Sequence, residues 1–151
     1  MQKKPECHPA PTIMEVWLEI WPGSLEDKLL AGVYDQTNSV LIDGAIPVNG
    51  QGFGRVKVYA IVFERRMTSE DVEVELRVMG KKPAMLDHLL AFGAKLTEFQ
   101  RYFPVLALGS KLDKGMVFIP LLCELAGKRV LTLHSYMNAW DPDCCFLAVD
   151  L

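Results

Sequence analysis

The stretch from Arg55 to Val78 constrains the fold most, because it holds two runs in which apolar and polar residues alternate. Val56, Val58, Ala60 and Val62 share one face of the first run; Val72, Val74, Leu76 and Val78 share one face of the second. A period of two rich in β-branched residues is the pattern of a half-buried strand. Met67, Thr68, Ser69, Glu70 and Asp71 lie between the runs, too many for a two-residue turn. The expected unit is an antiparallel hairpin with a loop of roughly three to five residues, near the middle of a sheet.

The same alternation recurs upstream. Met14, Val16, Leu18 and Ile20 alternate with Glu15, Trp17, Glu19 and Trp21, so Ile13 to Trp21 reads as a strand whose even face enters the core, broken by Pro22-Gly23. Ser24, with Asp27 three residues on, is a helix start, and Leu25, Leu29, Leu30 and Val33 form a short apolar stripe that should end by Tyr34 or Asp35. Val40 to Ile46 is a further strand candidate, interrupted at Asp43-Gly44 and stopped by Pro47.

Downstream, Gly80 ends the second run of the hairpin, and Pro83 suits the first turn of a helix. Met85, Leu86, Leu89, Leu90, Gly93 and Leu96 recur at spacings of three and four, which predicts an amphipathic helix from Pro83 to Leu96 packed on the sheet. Four more strands are expected at Val105–Leu108, Met116–Cys123, Val130–His134 and Cys145–Val149, with glycine-bearing turns between them. Short connections favour an antiparallel meander. The whole is an α+β fold, a mainly antiparallel sheet of about seven strands covered by two short helices, either open or curled into a half-barrel. Residues 1–12 are expected to be a flexible tail and residues 13–151 a single domain.

Charge and composition exclude more than they assign. With 16 Lys plus Arg against 19 Asp plus Glu, the net charge of −3 offers no basic field for nucleic acid or anionic lipid. No apolar run is long enough to span a bilayer, and Met1 to Thr12 lacks the apolar centre of a secretory signal, which points to the cytosol. Cys7, Cys123, Cys144 and Cys145 then read as free thiols, the adjacent pair pointing to opposite faces of a strand.

No motif specifies a chemistry. Gly50, Gly52 and Gly54 lead into a strand rather than the helix start that a phosphate loop needs, so they read as a strand connection. Cys7-His8 and Cys144-Cys145 lack the two-residue gap of a zinc site, and His88 reads as flanking a packed helix face. Asn138, Asp141 and Asp143 lack the spacing of a calcium loop. A nucleophile drawn from Cys123, Cys144 or Cys145 would need His134 beside it, and Leu108-Gly109-Ser110-Lys111-Leu112 lacks the second glycine of a nucleophile elbow. No cofactor is implied.

What remains are aromatic residues among acids. Glu15, Trp17, Glu19 and Trp21 form one face that is core if a helix covers it and a contact surface if none does. Tyr136, Asn138, Trp140 and Asp141 lie on the longest polar loop, a solvated turn or a protein contact. The expected function is a non-catalytic interaction module, self-associating or binding another protein. The alternative is a small enzyme or ligand-binding protein with its pocket between the second helix and the sheet.

Overall fold

The computed structural model describes residues 8–42 and 54–151. In chain order its first half contains β1 (Thr12–Ile20), α1 (Leu25–Gly32), β2 (Gln36–Thr37), α2 (Ser39–Ile42), β3 (Gly54–Val62), β4 (Met67–Thr68) and α3 (Ser69–Val78). The second half contains β5 (Lys81–Pro83), α4 (Leu86–Lys95), a 3-10 turn (Phe99–Arg101), β6 (Val105–Leu106), β7 (Leu112–Asp113), β8 (Val117–Leu125), β9 (Lys128–Ser135), β10 (Ala139–Trp140) and β11 (Cys145–Asp150). The fold is α+β, as its sequence indicates.

One large sheet runs in the order β1-β3-β11-β6-β8-β9-β2, with β5 beside β11 and β7 beside β8; β10 and β4 pair separately. Its pairings are antiparallel except β11 with β6 and β2 with β9. Among the described residues the sheet does not close, and β1 is an outer strand. A simple meander is not what forms: β11, last in sequence, inserts between β3 and β6.

Alternation along the strands builds a core on each face. Val16, Leu18, Ile20, Val58 and Ala60 point to the side covered by α1 and α4, where Leu86, Leu89, Leu90 and Phe92 meet them. Tyr59, Ile61, Phe146 and Leu121 point to the other side, where α3 supplies Val72 and Leu76. Cys145 belongs to the first core and Cys144 to the second.

The expected hairpin is half correct. Its first run is β3, but Ser69–Val78 is a helix. Val72 and Leu76 are four residues apart, which satisfies a helical period as well as a strand period. End signals decide between them. The Thr68 hydroxyl accepts the Asp71 N–H at 3.1 Å, Glu70 and Asp71 face the positive helix end, and Arg77 lies in the last turn. Val74 and Val78, 53% and 78% exposed, are left on the solvent side.

Other elements shift for local reasons. Ser24 caps α1 through a reciprocal pair with Asp27, yet Leu30 and Val33 are exposed while Lys28 and Gly32 are buried. Val40–Ile42 is helical rather than extended, capped by Asn38, whose Oδ1 accepts the Val40 N–H at 2.9 Å. The remainder of that expected strand, and the glycine loop as far as Phe53, lie outside the described residues. Lys81–Pro83 pairs with β11, so α4 starts at Leu86, later than the proline suggests.

Candidate functional site: an open outer strand

Strand β1 is nine residues long and pairs with β3 over its whole length, Trp17 opposite Lys57 and Val16 opposite Val58. Among the described residues no strand lies outside it. In an antiparallel strand the N–H and C=O of one residue point the same way and neighbours alternate. The Cys145 N–H donates to the Pro104 carbonyl and the Leu147 carbonyl accepts the Ala84 N–H, so Phe146 and Ala148 bond to Ile61 and Tyr59 of β3. The even-numbered residues of β3 are left to bond to Val16 and Met14, while the Trp17 carbonyl accepts from the Lys95 ammonium. That assigns the outward backbone groups to Ile13, Glu15, Trp17 and Glu19. Long outer strands with free groups are templates for another strand, and a lysine laid over the edge is a familiar guard.

Among the described residues no helix covers the Trp17 side of this strand. Trp17 is 43% exposed and Ile13 44% exposed. The Arg55 guanidinium lies 4.7 Å from the Trp17 ring centre and the Lys57 ammonium 5.5 Å, while Lys57 also pairs with Glu15 at 3.7 Å. Across β3 the pattern continues: Lys81 sits 3.7 Å over the Tyr59 ring, and the Tyr59 hydroxyl donates to Asp150 at 3.1 Å. The positive charge over the Trp17 ring is thus supplied by the chain itself, which holds the indole in place.

On the opposite side of β1, Met14 is 37% exposed and borders an open hollow of about 370 Å³ with Leu96, Thr97, Glu98, Phe99 and Tyr102. The strand therefore has apolar surface above and below a row of outward backbone groups. Sequence reasoning singled out Trp17, Glu15 and Glu19 but missed Met14, Arg55, Lys57, Lys95, Leu96, Phe99 and Tyr102. Of these, Met14 and Leu96 carried a signal for the core alone, and Lys95 lies in the last turn of a recognised helix.

The other expected contact residues disperse. Trp21 leaves the strand and packs against the core beside α1 and α4, so the two indoles do not share a face. Trp140 is 5% exposed, its indole N–H donating to Ser69 Oγ at 2.8 Å while Ser69 donates to the Tyr136 carbonyl at 2.7 Å. It fastens β10 to the start of α3 and is not a surface aromatic. The Tyr136 hydroxyl donates to Glu73, with Lys111 over its ring at 4.7 Å. Burial, then the bond to Glu73 and the nearby acids, hold its pKa well above the phenolic range. Asn138, beside Tyr136 at a hollow of about 90 Å³, contacts His134 Nδ1 at 2.6 Å; the Asp141 carbonyl accepts the Cys144 N–H at 3.1 Å in an exposed turn.

Cys123, Cys144 and Cys145 do not assemble with His134. Cys123 and His134 lie on paired strands but four rungs apart, roughly 13 Å at about 3.3 Å per residue. Cys145 lies three strands from β9, roughly 14 Å at about 4.8 Å per strand. Burial pushes the Cys145 thiol up to about 12 and Cys144 up to about 11, and raises Cys123, the reverse of an activated nucleophile. Among the described residues no group of three His, Cys, Asp or Glu side chains converges to hold a metal ion. No described helix is long and apolar enough to cross a membrane.

Fold and edge together define an α+β protein with helices on both faces of an open sheet. No protein-family model, curated protein or solved structure matches the chain.

Proposed function

We propose that this is a small cytosolic, non-catalytic interaction module that takes an extended protein segment along the open side of β1. The observation that carries this reading is the outer strand itself. It has nine paired residues on one side, outward groups on the other, and exposed Ile13, Met14 and Trp17 flanking the row. An added strand gains backbone hydrogen bonds, and its side chains alternate between the two apolar surfaces. The test places a photo-crosslinking residue at Ile13 of the full chain, with the same residue at exposed Val78 on α3 as control. Crosslinks to protein, self or other, enriched at position 13 are expected. Equal yields from both positions refute the reading.

A second reading, a ligand-binding protein, has one observation in its favour. Val40, Leu112, Phe118 and Leu133 with Asn38 and Lys114 line a half-open hollow of about 300 Å³, at the small end of ligand sites. It lies at α2 and β7–β9. Beside α4, where a pocket was first expected, the gap between Ile20, Trp21, Lys28, Asp87 and Ala91 has ≈ 0 Å³ for water, and the open hollow at Met14 and Leu96 is the one that borders β1. Native mass spectrometry of gently purified protein, with Phe118→Trp filling the hollow, tests this. An adduct lost in the variant supports ligand binding, and a bare mass for both counts against it.

A further inference from the structure

The β1 edge carries information about which strand it accepts. Its midpoint is Val16, four residues from each end. Antiparallel pairing of β1 with a second copy about a two-fold axis matches residues whose numbers add to a constant. Overlap of the full strand puts Val16 on the axis. Glu15 then faces Trp17 of the second copy, Glu19 faces Ile13, and Met14 faces Leu18. Every carboxylate lies opposite an apolar side chain. Moving the axis to Trp17 sets Glu15 against Glu19 twice, and moving it to Glu15 sets that acid against itself, both unfavourable in a ladder. Moving it to Met14 or Leu18 avoids the clash but leaves only five residues of each strand paired. One register combines complete overlap with no opposed acids.

Hydrogen bonding and charge agree with that register. The outward groups belong to Ile13, Glu15, Trp17 and Glu19, so bonds form only between odd-numbered residues, as the Val16 axis requires. The second copy's Glu15 arrives at Trp17, over which Arg55 and Lys57 already hold positive charge. Arg55 has no ion pair among the described residues, and the incoming acid supplies one. On the other face, two copies of the apolar hollow around Met14, Leu96, Phe99 and Tyr102 are brought beside the new seam.

We infer that the segment accepted by β1 is β1 of a second copy, giving a two-fold dimer with one sheet continuous across Val16. This rests on the edge-strand reading above and narrows it. Lys95 is the guard of this seam, because its hydrogen bond to the Trp17 carbonyl must be released before the strands join.

Disulfide trapping tests it in the full chain with Cys7 and Cys123 changed to serine. Val16 forms a non-hydrogen-bonded pair with itself, a Cα separation of about 4.5 Å, within the roughly 4.4–6.8 Å that a disulfide spans. Val16→Cys is expected to form a covalent dimer on mild oxidation and Trp17→Cys to form several-fold less. Preferential trapping at Trp17 overturns the register while sparing strand addition. Sedimentation of the native chain as a monomer at high concentration overturns self-association. Enriched Ile13 crosslinks to another protein then retain the broader reading, and their absence removes both. Should Val16→Cys fail to fold, judged by circular dichroism, Lys95→Ala serves instead. The dimer dissociation constant should fall several-fold, and an unchanged constant overturns the inference.

Discussion

Arg129 is the residue whose loss should harm the fold most. Its side chain is 5% exposed, and its guanidinium donates to the carbonyls of Gly32 and Val33 at the end of α1. It also donates to the Gly93 carbonyl near the end of α4 at 3.1 Å and to Gln100 Oε1 at 3.0 Å, with the Tyr34 ring 5.0 Å away. One cation thus closes the negative ends of two helices. Arg129→Met keeps most of the aliphatic volume and removes every donor. Stranding a buried acceptor costs about 1–3 kcal/mol. Four acceptors lose partners, but water can reach the exposed Val33, and Arg129 Nε is itself unpartnered, so part of the loss is offset. A net loss of about 4 kcal/mol is expected, a large share of the roughly 5–15 kcal/mol that holds a domain together. Urea unfolding should show the midpoint falling with an unchanged slope. Arg129→Lys should lose most of the same amount, because an ammonium cannot span the fork. A loss below about 1 kcal/mol for Arg129→Met would refute the argument, since burying the charge would then cost as much as its bonds return.

Two further outcomes follow from buried charge. Burial first, and then Lys82, hold the His88 pKa below its ordinary value, and His88 Nδ1 accepts the Met85 N–H at 3.0 Å, which requires a bare nitrogen. A depressed folded pKa means stability that is complete above the unfolded value and lost as pH falls from about 6.5 towards the folded value. Urea midpoints at pH 7 and pH 5 should differ more for the native chain than for His88→Gln; equal differences would refute this. Lys28 and Asp87, 3% and 9% exposed, face each other at 3.8 Å without a hydrogen bond, and desolvation raises the Asp87 pKa against the pull of Lys28. Lys28→Met alone should cost about 3 kcal/mol at neutral pH, and Lys28→Met with Asp87→Leu should be neutral or stabilising. Thermal unfolding at pH 7 distinguishes these from a pair that is net stabilising, in which the double variant would melt lowest.

Strands with one buried and one open face were readable because a period of two has no competing explanation there. Thr12–Ile20 lies close to its expected bounds on that ground, and Val117–Leu125 and Lys128–Ser135, which bury consecutive residues, lie close to theirs because turn residues bracket two apolar runs. Ser69–Val78 reads as a strand in the sequence because Val72 and Leu76 fit both periods, and the decisive helix signals, Thr68 as cap and the acids after it, suit a loop equally well. Trp140 looked like a contact residue because its neighbours are polar, and only the pairing of β10 with β4 buries it. The candidate site was half legible. Trp17 and its acids could be named, but whether they lay in solvent depended on α4 choosing the other face. Met14 joins Leu96, Phe99 and Tyr102 only through tertiary packing.

Cys144 and Cys145 are neighbours in the chain and strangers in space, one facing α3 and the other facing α1 and α4. Both are buried with raised pKa values, so alkylation must wait for an opening. A single proteolytic fragment consequently carries two clocks. Detachment of α3 alone marks Cys144 first; cooperative loss of the sheet marks both at one rate. The ratio of singly to doubly modified fragment therefore reads out whether the two halves of this protein come apart separately or together.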